Sequence, residues 1–178
     1  MDDGTREAIV RAAHALERAG LTARFELPEK LHVTLAFLGA VDSDRIGPLA
    51  DALREKVAAI PPFSVRFDRL GAFPNSPRAR IAWVGANKAD PAFVRLAEAV
   101  RAAARAFATL DEKPAVLHVT LARLREPMQL PRVPFTACTM RVDAIVLFES
   151  LPQGQTSRYE VVERFPLTVH ASSPAASK

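Results

Sequence analysis

The sequence contains one cysteine, Cys138, and only 7 glycines among its 178 residues. A single cysteine cannot close an intrachain disulfide or supply a cysteine-rich zinc cluster, which agrees with a reducing compartment. No apolar stretch approaches the roughly 20 residues that are needed to span a bilayer. With 49% hydrophobic and 25% charged residues, the composition excludes disordered, collagen-like and membrane-spanning chains.

Charge of either sign is also modest. The chain carries 24 Lys and Arg against 20 Asp and Glu, a net charge of +4. That excess permits a phosphate-bearing partner but does not by itself indicate one. The start, MDDGTREAIV, lacks the basic and then apolar pattern of a signal peptide, so we expect a cytoplasmic protein with no membrane association.

Hydrophobic periodicity predicts three amphipathic helices, at residues 5–20, 44–60 and 91–110. Alternating apolar runs predict the main strands at residues 31–38, 63–73, 79–86, 116–123, 136–148 and 158–165. This order predicts an α+β fold of antiparallel sheets with helices outside. We expect one domain over residues 1–170, followed by a disordered tail at 171–178.

An internal repeat is the most informative feature of the sequence. Residues 32–38 read HVTLAFL and residues 118–124 read HVTLARL, so six of seven positions are identical. Such agreement indicates that the two segments occupy equivalent places in two related halves. If a pseudo-twofold axis relates the halves, both segments line one cleft.

Each copy of the repeat carries a histidine and a threonine two residues apart. Strand alternation places His32 and Thr34 on one face, and His118 and Thr120 on one face likewise. Two imidazoles flanking a phosphate can supply the base and the acid for in-line displacement, while two hydroxyls donate to the non-bridging oxygens. No metal is required, and we see no cluster of metal-ligating residues. A lone His in a strand is usually structural, but the duplicate favours a phosphate-handling cleft.

At these residues the chain resembles the two-histidine phosphoesterase superfamily, specifically the RNA 2',3'-cyclic phosphodiesterases, also called 2'-5' RNA ligase-like proteins. The family's HxTx motifs match residues 32–35 and 118–121. Further similarity lies in LGAFP at 70–74, IAWVG at 81–85 and LFES at 147–150. The doubled motif with these neighbours is a specific signature.

The resemblance implies a bilobal fold with a central cleft and hydrolysis of RNA 2',3'-cyclic phosphate ends to 2'-phosphomonoesters without a cofactor. It assigns His32 as proton donor to the leaving oxygen and His118 as proton acceptor from water. Thr34 and Thr120 hold the phosphate. The implied partners are RNA ends or cyclic nucleotides, and we expect a monomer.

Two further residues are candidates for substrate binding. Arg123 follows the second motif where the family often has Arg, but regular alternation points it away from His118, so it reaches the cleft only if the strand ends or bulges. Tyr159 follows a polar loop and is a candidate platform for base stacking. A solvated surface position is the alternative for Arg123, and a place in the core is the alternative for Tyr159.

The chain departs from the family at its beginning, where the short apolar strand that usually precedes the first helix is not seen. Either the start of the sequence was assigned too late or the chain tolerates the loss of this strand, and the second alternative leaves an unpaired edge or a vacated position in one lobe. Two alternative functions also remain open, namely a non-catalytic module that binds RNA ends or nucleotides, and 2'-5' RNA ligation or cleavage in the same cleft. Intact histidines in both motifs favour hydrolysis, since a pure binder needs no matched acid and base.

Overall fold

The computed structural model describes residues 1–153 and 156–168, which form three α-helices and eight β-strands. The helices are α1 (Asp3–Arg18), α2 (Ser43–Ala58) and α3 (Pro91–Ala104). The strands are β1 (Arg24–Phe25), β2 (Phe63–Phe67), β3 (Arg69–Phe73), β4 (Ala79–Gly85), β5 (His118–Met128), β6 (Cys138–Val142), β7 (Ala144–Gln153) and β8 (Thr156–Pro166). The tail expected at 171–178 lies outside the described residues.

Two of the helices begin at capping side chains, where polar residues precede a periodic pattern of apolar residues. The carboxylate of Asp2 accepts the backbone N–H of Thr5 at 2.8 Å, ahead of α1. The carboxylate of Asp90 accepts hydrogen bonds from two backbone N–H groups at the start of α3. Pro91, the first residue of this helix, has no N–H group that would need an acceptor. Each cap satisfies donors that the first turn of a helix leaves unpaired, which explains these starting points.

All strand pairs are antiparallel and form three groups. One sheet has four strands in the order β1-β5-β4-β3, and two further pairs are β2-β6 and β7-β8. The predicted α+β class with antiparallel sheets is therefore confirmed.

Two long strands predicted from the sequence are each divided at an aspartate. The run 63–73 breaks at Asp68, so that β2 pairs with β6 while β3 pairs with β4. The carboxylate of Asp68 accepts the backbone N–H of Asn87 at 2.8 Å. The run 136–148 breaks at Asp143, between β6 and β7, and its backbone carbonyl accepts from Leu167. Both predictions of a continuous strand were wrong because the chain changes sheet partners at these polar residues.

The first motif segment is not a regular strand. Within residues 31–38 only Val33 makes a β-bridge, with Val119 of β5. The preceding β1 lies on the same edge of β5, but Pro28 begins a 3₁₀ turn, so the chain leaves that edge and rejoins it at Val33. A groove of about 850 Å³ separates this segment from β7. The prediction of a strand over 31–38 was therefore wrong, because nothing pairs with its other edge among the described residues.

The buried apolar side chains form two clusters, one for each lobe. The first cluster joins α1 to β2, β4 and β5, with Leu16, Phe67 and Leu121 fully buried. The second joins α2 and α3 to the β7-β8 hairpin, with Leu96 and Phe165 at most 1% exposed. The fold is thus bilobal, as predicted, and the two histidine motifs lie where the lobes meet.

Candidate active site

The two motifs lie side by side at the junction of the lobes. Val33 and Val119, which follow the two motif histidines, form an antiparallel bridge. In an antiparallel pair the flanking residues oppose each other in reverse order, so this register sets His32 toward Thr120 and Thr34 toward His118. The repeat seen in the sequence is therefore an approximate twofold arrangement around one bridge.

Both histidine rings are fixed by the same backbone contact. The Nδ1 atom of His32 lies 2.7 Å from the carbonyl oxygen of Lys30, and the Nδ1 atom of His118 lies 2.9 Å from that of Val116. A carbonyl only accepts, so each Nδ1 carries the hydrogen that it donates. The neutral form of each ring then has its lone pair on Nε2, the nitrogen available to substrate.

Aromatic side chains of the four-stranded sheet enclose His118. The ring of Phe73 meets it edge-on with centroids 5.2 Å apart, and the Trp83 ring lies 6.4 Å away. Burial lowers the pKa of His118 from its ordinary value of 6.5, and the positive charges of His32 and Arg123 lower this pKa further. The hydrogen bond to the Val116 carbonyl acts in the opposite direction. These surroundings favour the neutral, proton-accepting form of His118.

Two glycines make room for the indole that supports this enclosure. A Cβ atom at Gly71 would lie 2.5 Å from two ring carbons of Trp83. One at Gly85 would lie 3.0 Å from a third ring carbon and 2.6 Å from the backbone oxygen of Leu117. The indole is 7% exposed and covers both glycines. Trp83 pairs with Thr120 of β5, so the indole lies on the same face of the sheet as Thr120. Sequence reasoning noted Trp83 only within the IAWVG similarity and missed its contact with His118. The glycines within two predicted strands were the available signal, because such residues often mark a close approach.

The β7-β8 hairpin provides the surroundings of His32. Its ring lies 5.3 Å from that of Tyr159, edge-on, and 6.4 Å from that of Phe148. Tyr159 is 37% exposed and Phe148 is 43% exposed, whereas Trp83 beside the other histidine is buried. The structure therefore places Tyr159 next to the cleft with an accessible ring, rather than in the core.

The motif threonines lie beside the histidines and are half-buried. Within residues 1–153 and 156–168, neither the Thr34 nor the Thr120 hydroxyl forms a hydrogen bond to another protein group. The bridge register brings the two residues to the same junction as the imidazoles. Both hydroxyls are thus available to a ligand.

Arg123 shares the cleft face of β5 with His118 and Thr120. One step along β4, from Ala82 to Trp83, corresponds to two steps along β5, which leaves Leu121 as an extra residue. Such a bulge inverts the alternation of side chains, so that Arg123 is exposed on the face that carries Thr120, while Leu124 beside it is buried. The sequence analysis required a bulge for Arg123 to reach the cleft, and the structure has one. The guanidinium Nε of Arg123 lies 3.0 Å from a carboxylate oxygen of Glu26. Sequence reasoning did not identify Glu26.

Neither a metal cluster nor a membrane span is found in the described part of the chain. Across residues 1–153 and 156–168, no three His, Cys, Asp or Glu side chains lie close enough together to hold a metal ion. No helix in that same part of the chain is both long and apolar enough to cross a membrane.

Comparison with known proteins identifies the family of this chain. The sequence profile of the LigT-like phosphoesterases matches residues 1–83. An RNA 2',3'-cyclic phosphodiesterase of Escherichia coli is 30% identical over 170 residues, covering 92% of this chain and 90% of that relative. A Thermus thermophilus protein of the same name is 34% identical over 152 residues, covering 79% and 73%. One from Geobacillus stearothermophilus is 33% identical over 146 residues, and the aligned chain spans only 46% of its length.

Solved structures show the same fold. A Thermus thermophilus structure superimposes with a TM-score of 0.80 at 28% identity, covering 94% of this chain and 93% of that one. Escherichia coli LigT in complex with 3'-AMP gives a TM-score of 0.73 at 24% identity, covering 92% and 93%. The two lobes and the paired histidine motifs define a two-histidine phosphoesterase. More narrowly, the chain belongs to the LigT-like phosphoesterase family.

Proposed function

We propose that the protein hydrolyses RNA 2',3'-cyclic phosphate ends to 2'-phosphomonoesters by metal-independent acid–base catalysis with two histidines. The observation that carries this proposal is the antiparallel meeting of two identical His-x-Thr triplets around the Val33–Val119 bridge. Family relatives from several organisms carry the name RNA 2',3'-cyclic phosphodiesterase. Escherichia coli LigT has also been crystallised with 3'-AMP, with ATP and with phosphate, which supports a nucleotide phosphate as ligand.

In the proposed reaction, water attacks phosphorus and the bond from phosphorus to the 3' oxygen breaks. His118 takes a proton from the attacking water, and His32 gives a proton to the departing 3' oxygen. The products are a 2'-phosphomonoester and a free 3' hydroxyl. After one turnover His118 carries the extra proton and His32 lacks one, so exchange with solvent restores both.

The surroundings of His118 support its role as the base. Packing against Phe73 and Trp83 and the two nearby positive charges lower its pKa, so the ring is neutral at pH 7. Its Nδ1–H is held by the Val116 carbonyl, which leaves Nε2 as the acceptor. The same contact at His32, with the Lys30 carbonyl, fixes the orientation of that ring and leaves its Nε2 facing the substrate.

The remaining candidate residues bind the substrate in this scheme. Thr34 and Thr120 donate hydrogen bonds to the non-bridging oxygens, one from each lobe. The charge of Arg123 lowers the pKa of His118, so the two side chains lie near each other. In this scheme the guanidinium therefore adds positive charge beside the same oxygens. The ring of Tyr159, exposed beside His32, stacks on a nucleobase near the cyclic phosphate.

The test is turnover of an oligoribonucleotide that ends in a 2',3'-cyclic phosphate, in the presence of EDTA, with the product identified by phosphorus NMR. We expect the 2'-phosphate. Substituting His32→Ala or His118→Ala should lower kcat by about 10²- to 10⁴-fold, and the double variant should lose less than the product of both losses. His14→Ala, at an exposed position on α1, is the matched control and should leave kcat unchanged.

Three results would contradict the proposal. Activity that disappears with EDTA argues against a metal-independent mechanism. Tight binding without product supports a non-catalytic module for RNA ends. A 3'-phosphate product shows that the leaving oxygen is not the 3' oxygen. A joined 2'-5' product from substrates with a free 5' hydroxyl would add ligation to the activities of the same cleft.

A further inference from the structure

The position of the Arg123 guanidinium depends on a neighbour from another strand. Its Nε atom lies 3.0 Å from a carboxylate oxygen of Glu26, the residue that follows β1. The Arg123 side chain is 47% exposed and that of Glu26 is 21% exposed, so solvent and ligands reach the arginine more than its partner. The guanidinium is therefore the more accessible member of the pair.

The backbone of Glu26 is anchored at the bulge that turns Arg123 toward the cleft. Its N–H donates to the carbonyl of Leu121, the extra residue of β5, at 2.8 Å. A hydrogen bond there stabilises the bulge whatever side chain residue 26 carries. The carboxylate is consequently free to have a separate role, and changing it leaves the backbone contact in place.

We propose that Glu26 is a positioning residue for the reaction, holding the guanidinium of Arg123 in place for the charge that develops on the phosphate in the transition state. The inference rests on the proposed function. The carboxylate takes the Nε–H, so the edge with the two Nη groups remains for a second anion, and this edge presents two parallel N–H donors. A guanidinium fixed at Nε loses less conformational freedom when it meets the charge that develops on the non-bridging oxygens.

The same carboxylate has an opposite effect on simple binding. The negative charge of Glu26 lies beside the proposed site for a dianionic product. Glu26 repels this product, whereas Arg123 attracts the product. Loss of the carboxylate is therefore expected to slow turnover without weakening the binding of phosphate. A residue with only a structural role would not separate these two quantities.

The experiment measures kcat on the cyclic-phosphate oligoribonucleotide and the Kd of adenosine 2'-monophosphate for four proteins: the wild type, Glu26→Gln, Arg123→Ala and the double variant. Glu26→Gln keeps the length of the side chain and removes its charge, so we expect a kcat about 3- to 10-fold lower. Its Kd should be equal or lower. Arg123→Ala should raise the Kd, and adding Glu26→Gln to it should cost nothing more in kcat.

A matched control is Glu163→Gln, which removes the charge of another carboxylate paired with an arginine, Arg54, away from the cleft. It should change neither kcat nor Kd. Unchanged kcat in Glu26→Gln, or an equal loss of kcat in the Arg123→Ala background, would overturn the proposal. So would a lower unfolding midpoint that accounts for the loss.

The nitrogen–proton NMR signal of the Arg123 Nε–H separates failure of this inference from failure of the proposed function. We expect its exchange with water to be slow in the wild type and faster in Glu26→Gln, whether or not the RNA is turned over. If wild-type protein produces no 2'-phosphate, the proposed function fails on that result alone. An Nε–H signal that does not respond to Glu26→Gln refutes the positioning role directly.

Discussion

Replacing Gly71 by alanine tests the packing that encloses His118. The new Cβ would lie 2.5 Å from ring carbons Cη2 and Cζ2 of Trp83, closer than van der Waals contact allows. Gly71 pairs with Trp83 across β3 and β4, and the indole is 7% exposed. The indole must tilt, and Phe73 and His118, which lie against it, must move with it.

The expected cost follows from overpacking in a buried region. Extra methyl groups in well-packed cores cost about 1–3 kcal/mol of unfolding free energy, and the lower chain entropy of alanine returns about 0.5 kcal/mol. For a domain of this size, each kcal/mol lowers the midpoint of thermal unfolding by about 2–4 °C. In the proposed reaction a displaced His118 would also lose its alignment with the attacking water, so we expect kcat/KM to fall by about tenfold or more.

Gly4→Ala in α1 is the matched control for this substitution. Its Cβ would meet only Asp2 Oδ1, at an ordinary contact distance of 3.7 Å. Alanine is the better helix former, so the free energy of unfolding should rise by up to about 0.5 kcal/mol and activity should not change. Chemical denaturation and turnover of both variants are the measurements. A Gly71→Ala protein as stable and as active as Gly4→Ala would refute the packing described around His118.

Three further predictions concern the motif threonines, the pH dependence and the groove beside the first motif. Thr34→Val and Thr120→Val keep the side-chain shape and remove a donor to a charged group, worth about 1.5–3 kcal/mol, so kcat/KM should fall about ten- to a hundredfold while the unfolding midpoint holds. Thr→Ser should keep much of the activity, and full activity in the valine variants would show that the hydroxyls do not touch phosphate. The pKa of His118 in the folded protein lies below 6.5, its ordinary value in an unfolded chain. Between these two pKa values the unfolded chain binds more protons. The stability that His118 contributes is therefore complete above pH 6.5 and is lost as pH falls through the folded pKa. The acidic limb of kcat/KM should lie below pH 6.5 and should disappear in His118→Ala, whereas a limb that persists would assign it to another group. We also propose that the groove between residues 31–38 and β7 accepts the strand expected from the family, so fusing an apolar strand ahead of Met1, which lines this groove, should raise the unfolding midpoint; an equal midpoint would contradict that pairing.

Local features were predictable from the sequence because their causes lie close together in the chain. The helices follow from apolar spacing and nearby capping residues, such as Asp90 with Pro91 at the start of α3. The repeated triplets identified both histidines and both threonines, because a duplicated motif is visible without knowledge of the fold. The family resemblance rests on the same residues, and the relatives and solved structures agree with it.

The tertiary structure decided the features that depend on pairing between distant strands. The bulge at Leu121 exists only in the register of β5 with β4, and it turns Arg123 to the cleft although simple alternation points the side chain away. Glu26 reaches Arg123 from a position 97 residues earlier. The lowered pKa of His118 arises from burial beside Phe73 and Trp83, and periodicity within one segment cannot report on rings that another segment supplies. The sequence therefore determined which groups are candidates for the proposed chemistry. The packing of the sheet determined the pKa of His118 and the direction of Arg123, because desolvation and strand register are set by neighbours far away in the chain.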